Sequence, residues 1–168
     1  MEMARPGSRH ASCLSRCVMR KLLFVFFLAV TGCTDSTSPS DEATALALSR
    51  ARWFNYGFTD YQFTIARVCQ CLPEMAGPVL VEVRGGLVVE QRYASGISVD
   101  PQYSDLFTAV PGLFDLIDEA LRRDAAGLAV RYNATFGYPE SIQIDWVAGA
   151  VDDEVSYRIT DFSLISQN

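Results

Sequence analysis

The chain has 168 residues, 49% of them hydrophobic, with 14 basic and 20 acidic side chains. That length suits one domain with or without a leader, and 20% charged with 11% aromatic residues excludes wholesale disorder. The acidic balance argues against a nucleic-acid partner, because phosphate binding needs clustered cations.

Arg20 and Lys21 precede an apolar run from Leu22 to Val30, which ends in Thr31-Gly32-Cys33. A basic start, a short greasy stretch and small residues at the cut predict a secretory signal peptide over residues 1–32. The run is about half of the ~20 residues a spanning helix needs, so no permanent span is expected. Val30-Thr31-Gly32-Cys33 resembles a bacterial lipobox. That resemblance implies diacylglycerol on Cys33, cleavage before it and an acylated new N-terminus, hence anchoring to the cell membrane or outer membrane, facing the periplasm or exterior. The competing reading is an ordinary signal peptide with an incidental cysteine. Met19 stands directly before Arg20, and a start there gives a leader of ordinary length; His10, Cys13 and Cys17 then precede the true start.

The leader takes five of the basic residues and one of the acids, which leaves nine Arg against 19 acids and neither Lys nor His. Without His there is no Ser-His or Cys-His dyad and no imidazole metal ligand. Without Lys there is no Schiff base and no P-loop. No cofactor and no metal centre is expected, and the reading is of a non-enzymatic domain.

Residues 33–40 have the composition of a flexible tether, followed by a single folded domain over 41–168. Ser40 or Asp41 is the expected cap of a first helix, with Leu46 and Trp53 on its apolar stripe, Ala47 and Phe54 beside them, and Gly57 as its stop. Tyr61, Phe63 and Ile65 alternate with polar neighbours and predict a strand, closed by a loop holding Cys69, Cys71 and Pro73. Val79, Val81 and Val83 predict a second strand, and Leu87 and Val89 a third. Matching their apolar faces sets Val83 opposite Leu87, so a three-residue loop of Arg84, Gly85 and Gly86 is expected.

Thr108 is the expected cap of a second helix with Pro111 in its first turn. Val110, Leu113, Phe114, Ile117 and Leu121 form its stripe, Asp115, Asp118 and Glu119 a solvated face, and Gly127 its end. Three more strands are predicted around Leu128, Val130 and Tyr132; Ile142, Ile144 and Trp146; and Val155, Tyr157 and Ile159. The order α-β-β-β-α-β-β-β hints at a duplication without sequence identity. Short links predict an α+β fold, with two helices packed on one face of a mainly antiparallel sheet of about six strands.

Tyr61-x-Phe63, Cys69-x-Cys71-x-Pro73, Val81-x-Val83-x-x-Gly86, Thr108 to Phe114, Tyr132, Phe136-Gly137-Tyr138-Pro139, Ile144-Asp145 and Asp152-Asp153-Glu154 together carry a pattern. It resembles a family of small exported bacterial lipoproteins known only as a domain of unknown function. One departure is Arg84-Gly85-Gly86, where an acidic residue before the second glycine is more usual. The resemblance implies lipoprotein export and an α+β body, and it supplies no activity.

Cys69 and Cys71 are the sharpest chemical feature. In an oxidising compartment, with Cys33 acylated, each has only the other as partner in the mature chain. A local disulfide, a thiol-redox site assisted by Arg67, a soft-metal pair such as a two-coordinate copper(I) site, and unpaired buried thiols all stay open. Asp145 and Asp152-Asp153-Glu154 flank one hairpin loop; a calcium site and a solvated tip are the readings, and the spacing fits no EF-hand. No pair of acids is singled out for glycoside hydrolysis. Tyr138 and Pro139 are expected to set strand register and bury a ring beside Trp146, with ligand stacking as the alternative. Asn133-Ala134-Thr135 fits a glycosylation sequon by chance. The expected function is a membrane-tethered binding or structural module of the cell envelope, touching the membrane through lipid on Cys33 and meeting an envelope protein partner. The alternative is a thiol-redox or soft-metal envelope protein using Cys69 and Cys71.

Overall fold

A computed structural model describes residues 39–166. The expected leader and cut site, Cys33 and the expected tether up to residue 38 lie outside the described residues. The elements are α1 (Pro39–Tyr56), β1 (Tyr61–Val68), α2 (Pro73–Ala76), β2 (Val79–Arg84), β3 (Leu87–Tyr93), a 3-10 segment (Pro101–Leu106), α3 (Val110–Arg122), β4 (Gly127–Tyr132), β5 (Pro139–Asp145) and β6 (Val155–Leu164). This is an α+β fold around one open antiparallel sheet of six strands, ordered β3-β2-β1-β6-β5-β4. The one-turn α2 and the 3-10 segment were not expected. None of the described helices is long and apolar enough to cross a membrane.

Alternation decides which side of the sheet is dry. Tyr61, Phe63 and Ile65 of β1, Val79, Val81 and Val83 of β2, Ile142 and Ile144 of β5, and Val155, Tyr157 and Ile159 of β6 are all buried in one core. The same core takes Val110, Leu113, Phe114, Ile117 and Ala120 from α3, while Leu121 is only half-buried. From α1 it takes Leu46 and Trp53, and the buried stripe of that helix also includes Glu42 and Ser49. Ala47 and Phe54, expected beside the stripe, are exposed. Asp115, Asp118 and Glu119 pair with Arg50, Arg122 and Arg123.

Four local expectations are corrected. The β2–β3 register pairs Arg84 with Leu87, so the loop is Gly85-Gly86 alone, with φ of 57° and 79°. Two consecutive glycines meet the double positive φ of a tight hairpin turn, and a bulge at Val89 then moves Val81 opposite Gln91 instead of Glu90. Helix α1 starts at Pro39, so Ser40 and Asp41 lie inside its first turn. Helix α3 starts after Ala109, without a side-chain cap from Thr108. It stops at Arg122, well before Gly127: Asp124, at φ 53°, takes the left-handed position, and Asp124 and Ala125 donate N–H bonds to Leu121 and Ala120. The central pair of the sheet joins the first strand of one half to the last of the other, β1 to β6.

A second bulge re-aims an aromatic ring. Gln62 pairs with Ser163 and Thr64 with Thr160, so Asp161 and Phe162 together oppose Phe63. Asp161 has φ 54°, and the extra residue turns Phe162 inward, against the strict alternation of β6. Phe162 then packs against the rings of Trp53, Phe58, Tyr61, Phe136 and Tyr138.

Candidate functional site

Strand β1 ends at Val68, and the chain turns at Cys69-Gln70-Cys71 into α2. Cys69 and Cys71 are joined to each other as a disulfide, with Cα atoms 5.3 Å apart. That separation is shorter than the ~6.6 Å of alternate residues in an extended strand, so the corner is bent. Both residues are half-buried, and Val68 and Leu72 beside them are exposed. Arg67 is engaged elsewhere: its Nη1 donates to the Met75 carbonyl at 2.8 Å, and its guanidinium lies over the Tyr157 ring. Its Nε is buried without a partner. From the other side the Tyr93 hydroxyl donates to the Glu74 carbonyl at 2.6 Å, so both neighbours of the corner hold α2 by its backbone.

The Phe136-Gly137-Tyr138-Pro139 turn is built around Asn133. Its Oδ1 accepts from the N–H groups of Thr135 and Phe136, and its Nδ2 donates to Glu140 at 2.9 Å. A glycan on that nitrogen would displace an internal hydrogen bond. Gly137, at φ 86°, meets α1: a Cβ there would collide with the Ser49 carbonyl oxygen and lie 3.1 Å from the Arg52 Cβ. Glycine therefore lets α1 seat directly on this turn. Tyr138 stacks on Phe162 at 4.6 Å and meets Trp53 edge-on. Its ring neighbours are thus Trp53 and Phe162 and not the expected Trp146, which lies under the guanidinium of Arg123, 4.6 Å from the ring centre. The buried rings make this turn part of the core.

The acidic loop does not converge on a point. Asp153 Oδ2 accepts from the Val147 N–H at 2.7 Å, which closes the β5–β6 loop internally. Among the described residues no three His, Cys, Asp or Glu side chains come close enough together to hold a metal ion.

Two surfaces were missed in the sequence. The first is the open edge of β3. Tyr93 and Val99 donate N–H bonds to Ile97 and Gln91, so the 97–99 segment covers the far half of that strand. No such bond closes residues 87–90 among the described residues, and Leu87 and Val89 there are 72% and 57% exposed. The two-residue turn sets Leu87 opposite Arg84, on the face of β2 away from the core, and Val89 keeps that parity as the bulged residue, so both apolar side chains stay outside.

The second is a cavity of about 530 Å³ at one end of the sheet, where β4 begins, β5 ends and β6 begins. Glu42, Leu121, Asp124, Leu128, Asp145 and Glu154 are among its walls. Glu42 is 5% exposed, and its Oε1 has no hydrogen-bond partner among the described residues. Burial pushes its carboxyl above the ordinary glutamate range. Tyr132, whose hydroxyl is also buried without a partner, is pushed up by burial first and by the charge of Glu42 second, with Arg50 opposing. Helical spacing offered the one available signal, since Glu42 stands four residues before Leu46 on the stripe.

No curated protein and no solved structure matches the chain. A family model described as a family of unknown function, DUF6174, matches residues 45–164. That span takes in both sheet halves and the Cys69-Cys71 corner, and the chain belongs to this family.

Proposed function

We propose that the protein is a non-enzymatic binding module of the bacterial cell envelope, exported and held to a membrane by lipid on Cys33. Its partner is an envelope protein that adds an extended segment to β3. The observation behind this reading is the open half of that strand: a sheet edge with unpaired backbone groups and the exposed side chains of Leu87 and Val89 is a template for another strand. Backbone hydrogen bonds would supply affinity, and the apolar side chains would select the partner. The basic leader and the Val30-Thr31-Gly32-Cys33 sequence support the anchor.

Photo-crosslinking in cells, with the probe placed at position 87 or 89 of the full chain, tests the edge. Adducts of one defined mass are expected there and none from the exposed Thr160. Equal yield from all three positions would end the idea. The intact mass of the purified protein reports the lipid in the same preparation.

A second reading is favoured by the half-exposed disulfide at the β1 corner. In thiol exchange a partner dithiol would become a disulfide while Cys69 and Cys71 each gain a hydrogen, a two-electron step that balances. The reduced pair would then also be free to hold a soft cation such as copper(I). Thiol labelling before and after mild reduction checks this: a bond untouched by millimolar thiol excludes both uses.

A further inference from the structure

Helix α1 turns Glu42, Leu46, Ser49 and Trp53 inward, at spacings of four, three and four residues. The first of these positions is one that a leucine would fill without electrostatic cost. An acid stands there instead, with Oε1 buried and unpartnered, in the wall of the cavity at the sheet end. A buried carboxyl without a partner destabilises a fold unless something supplies one.

The rest of the cavity has the same electrical sign. Asp124, Asp145 and Glu154 also line it, and among the described residues no basic one does. The carbonyl end of α3 lies there too, since Leu121 and Asp124 are both in the wall, and a helix C-terminus carries partial negative charge. Between these charges the wall is greasy, with the half-buried Leu121 and Leu128 and the buried Ile144 among its lining. A bare metal ion does not fit this arrangement, because no three donor side chains converge among the described residues. The volume of about 530 Å³ is that of a small-molecule site.

We infer that this cavity binds a small organic cation, an alkylammonium whose charged head pairs with Glu42 and whose chain lies along Leu121, Leu128 and Ile144. Ammonium hydrogens satisfy the orphaned Oε1, and the surrounding carboxylates draw the cation in. The site lies away from the open edge of β3, so it stands whether or not a partner strand binds there.

Calorimetric titration of the full chain with pentylamine, beside its neutral relative 1-pentanol, tests the assignment. Saturable one-to-one binding of the amine is expected, with no detectable binding of the alcohol up to about 10 mM, the range of very weak affinity. The isosteric Glu42→Gln variant is expected to bind at least about tenfold more weakly, which is ~1.4 kcal/mol, while Asp115→Asn, at an exposed ion pair, leaves binding unchanged. Methyl chemical-shift mapping on the unmutated protein gives a second reading that does not depend on how a variant folds. Saturating shifts confined to Leu121, Leu128 and Ile144 support the site. Non-saturating shifts spread over the surface, equal binding by Glu42→Gln, or equal binding of the alcohol would each overturn it.

Discussion

Replacing Gly137 by alanine separates two costs that usually arrive together. Gly137 and Gly149 both have positive φ, 86° and 75°, so an added Cβ incurs the left-handed penalty of about 1–2 kcal/mol at either position. At Gly149 the new methyl would find nothing within 4 Å, whereas at Gly137 it would meet the Ser49 backbone carbonyl and the Arg52 Cβ. Backbone cannot rotate away, so α1 must lift from the turn, and overpacking of this kind costs about 1–3 kcal/mol more. Gly137→Ala should therefore lose about 2–5 kcal/mol and Gly149→Ala about 1–2 kcal/mol. For a domain of this size each kcal/mol is worth about 3–6 °C. Differential scanning calorimetry of both variants, with circular dichroism to verify the fold, measures the difference directly. Equal losses in the two variants would refute the close seating of α1 on the Phe136–Pro139 turn.

Phe162→Ala should destabilise by about 2–4 kcal/mol in urea unfolding, because it empties the centre of a group of five rings; a surface-like loss below about 0.5 kcal/mol would show that the β6 bulge does not turn the ring inward. Asp124→Gly should gain about 0.5–1 kcal/mol, since it relieves a left-handed residue and removes a carboxylate from a helix C-terminus; a loss in the urea midpoint would contradict that cap. Glu42 gives a pH test. Its folded carboxyl titrates above its unfolded value, so the native state binds the proton more tightly, and stability from this group falls as pH rises through the raised value. Glu42→Gln should match the parent below the ordinary glutamate value of about 4 and exceed it progressively as pH rises through the raised folded value, with Tyr132 and Arg50 the charged or titrating neighbours; a gap independent of pH would mean the carboxyl is solvated.

Much of the fold was legible in the sequence because strict period-two alternation reports which side of a strand is dry. Tyr61, Phe63, Ile65, Val155, Tyr157 and Ile159 are all buried as their parity implies. Alternation misleads where a strand carries an extra residue, since the period looks intact on either side of a bulge. That is why Phe162 was overlooked as a core ring, and why the β2–β3 loop was read one residue too long. The end of α3 was misplaced for a related reason: an aspartate in the left-handed position leaves no compositional mark, and the nearest glycine drew the boundary to itself. The Cys69-Cys71 pair was visible as a motif. The cavity was not, because Glu42, the 124–128 stretch and Glu154 meet only through the topology.

The β1–β6 pairing at the middle of the sheet carries a consequence for the order of events during synthesis. Residues 61–68 wait for residues 155–164, so the two meanders can hold together locally while the seam between them stays open until the last strand emerges. Contacts so distant along the chain are slow to form, because a long loop must close before they are rewarded. Until residues 155–164 emerge, the chain is thus two unjoined halves. Losing its final ten-residue strand would leave those halves facing each other across a gap, with β1 exposed as a new and very apolar margin.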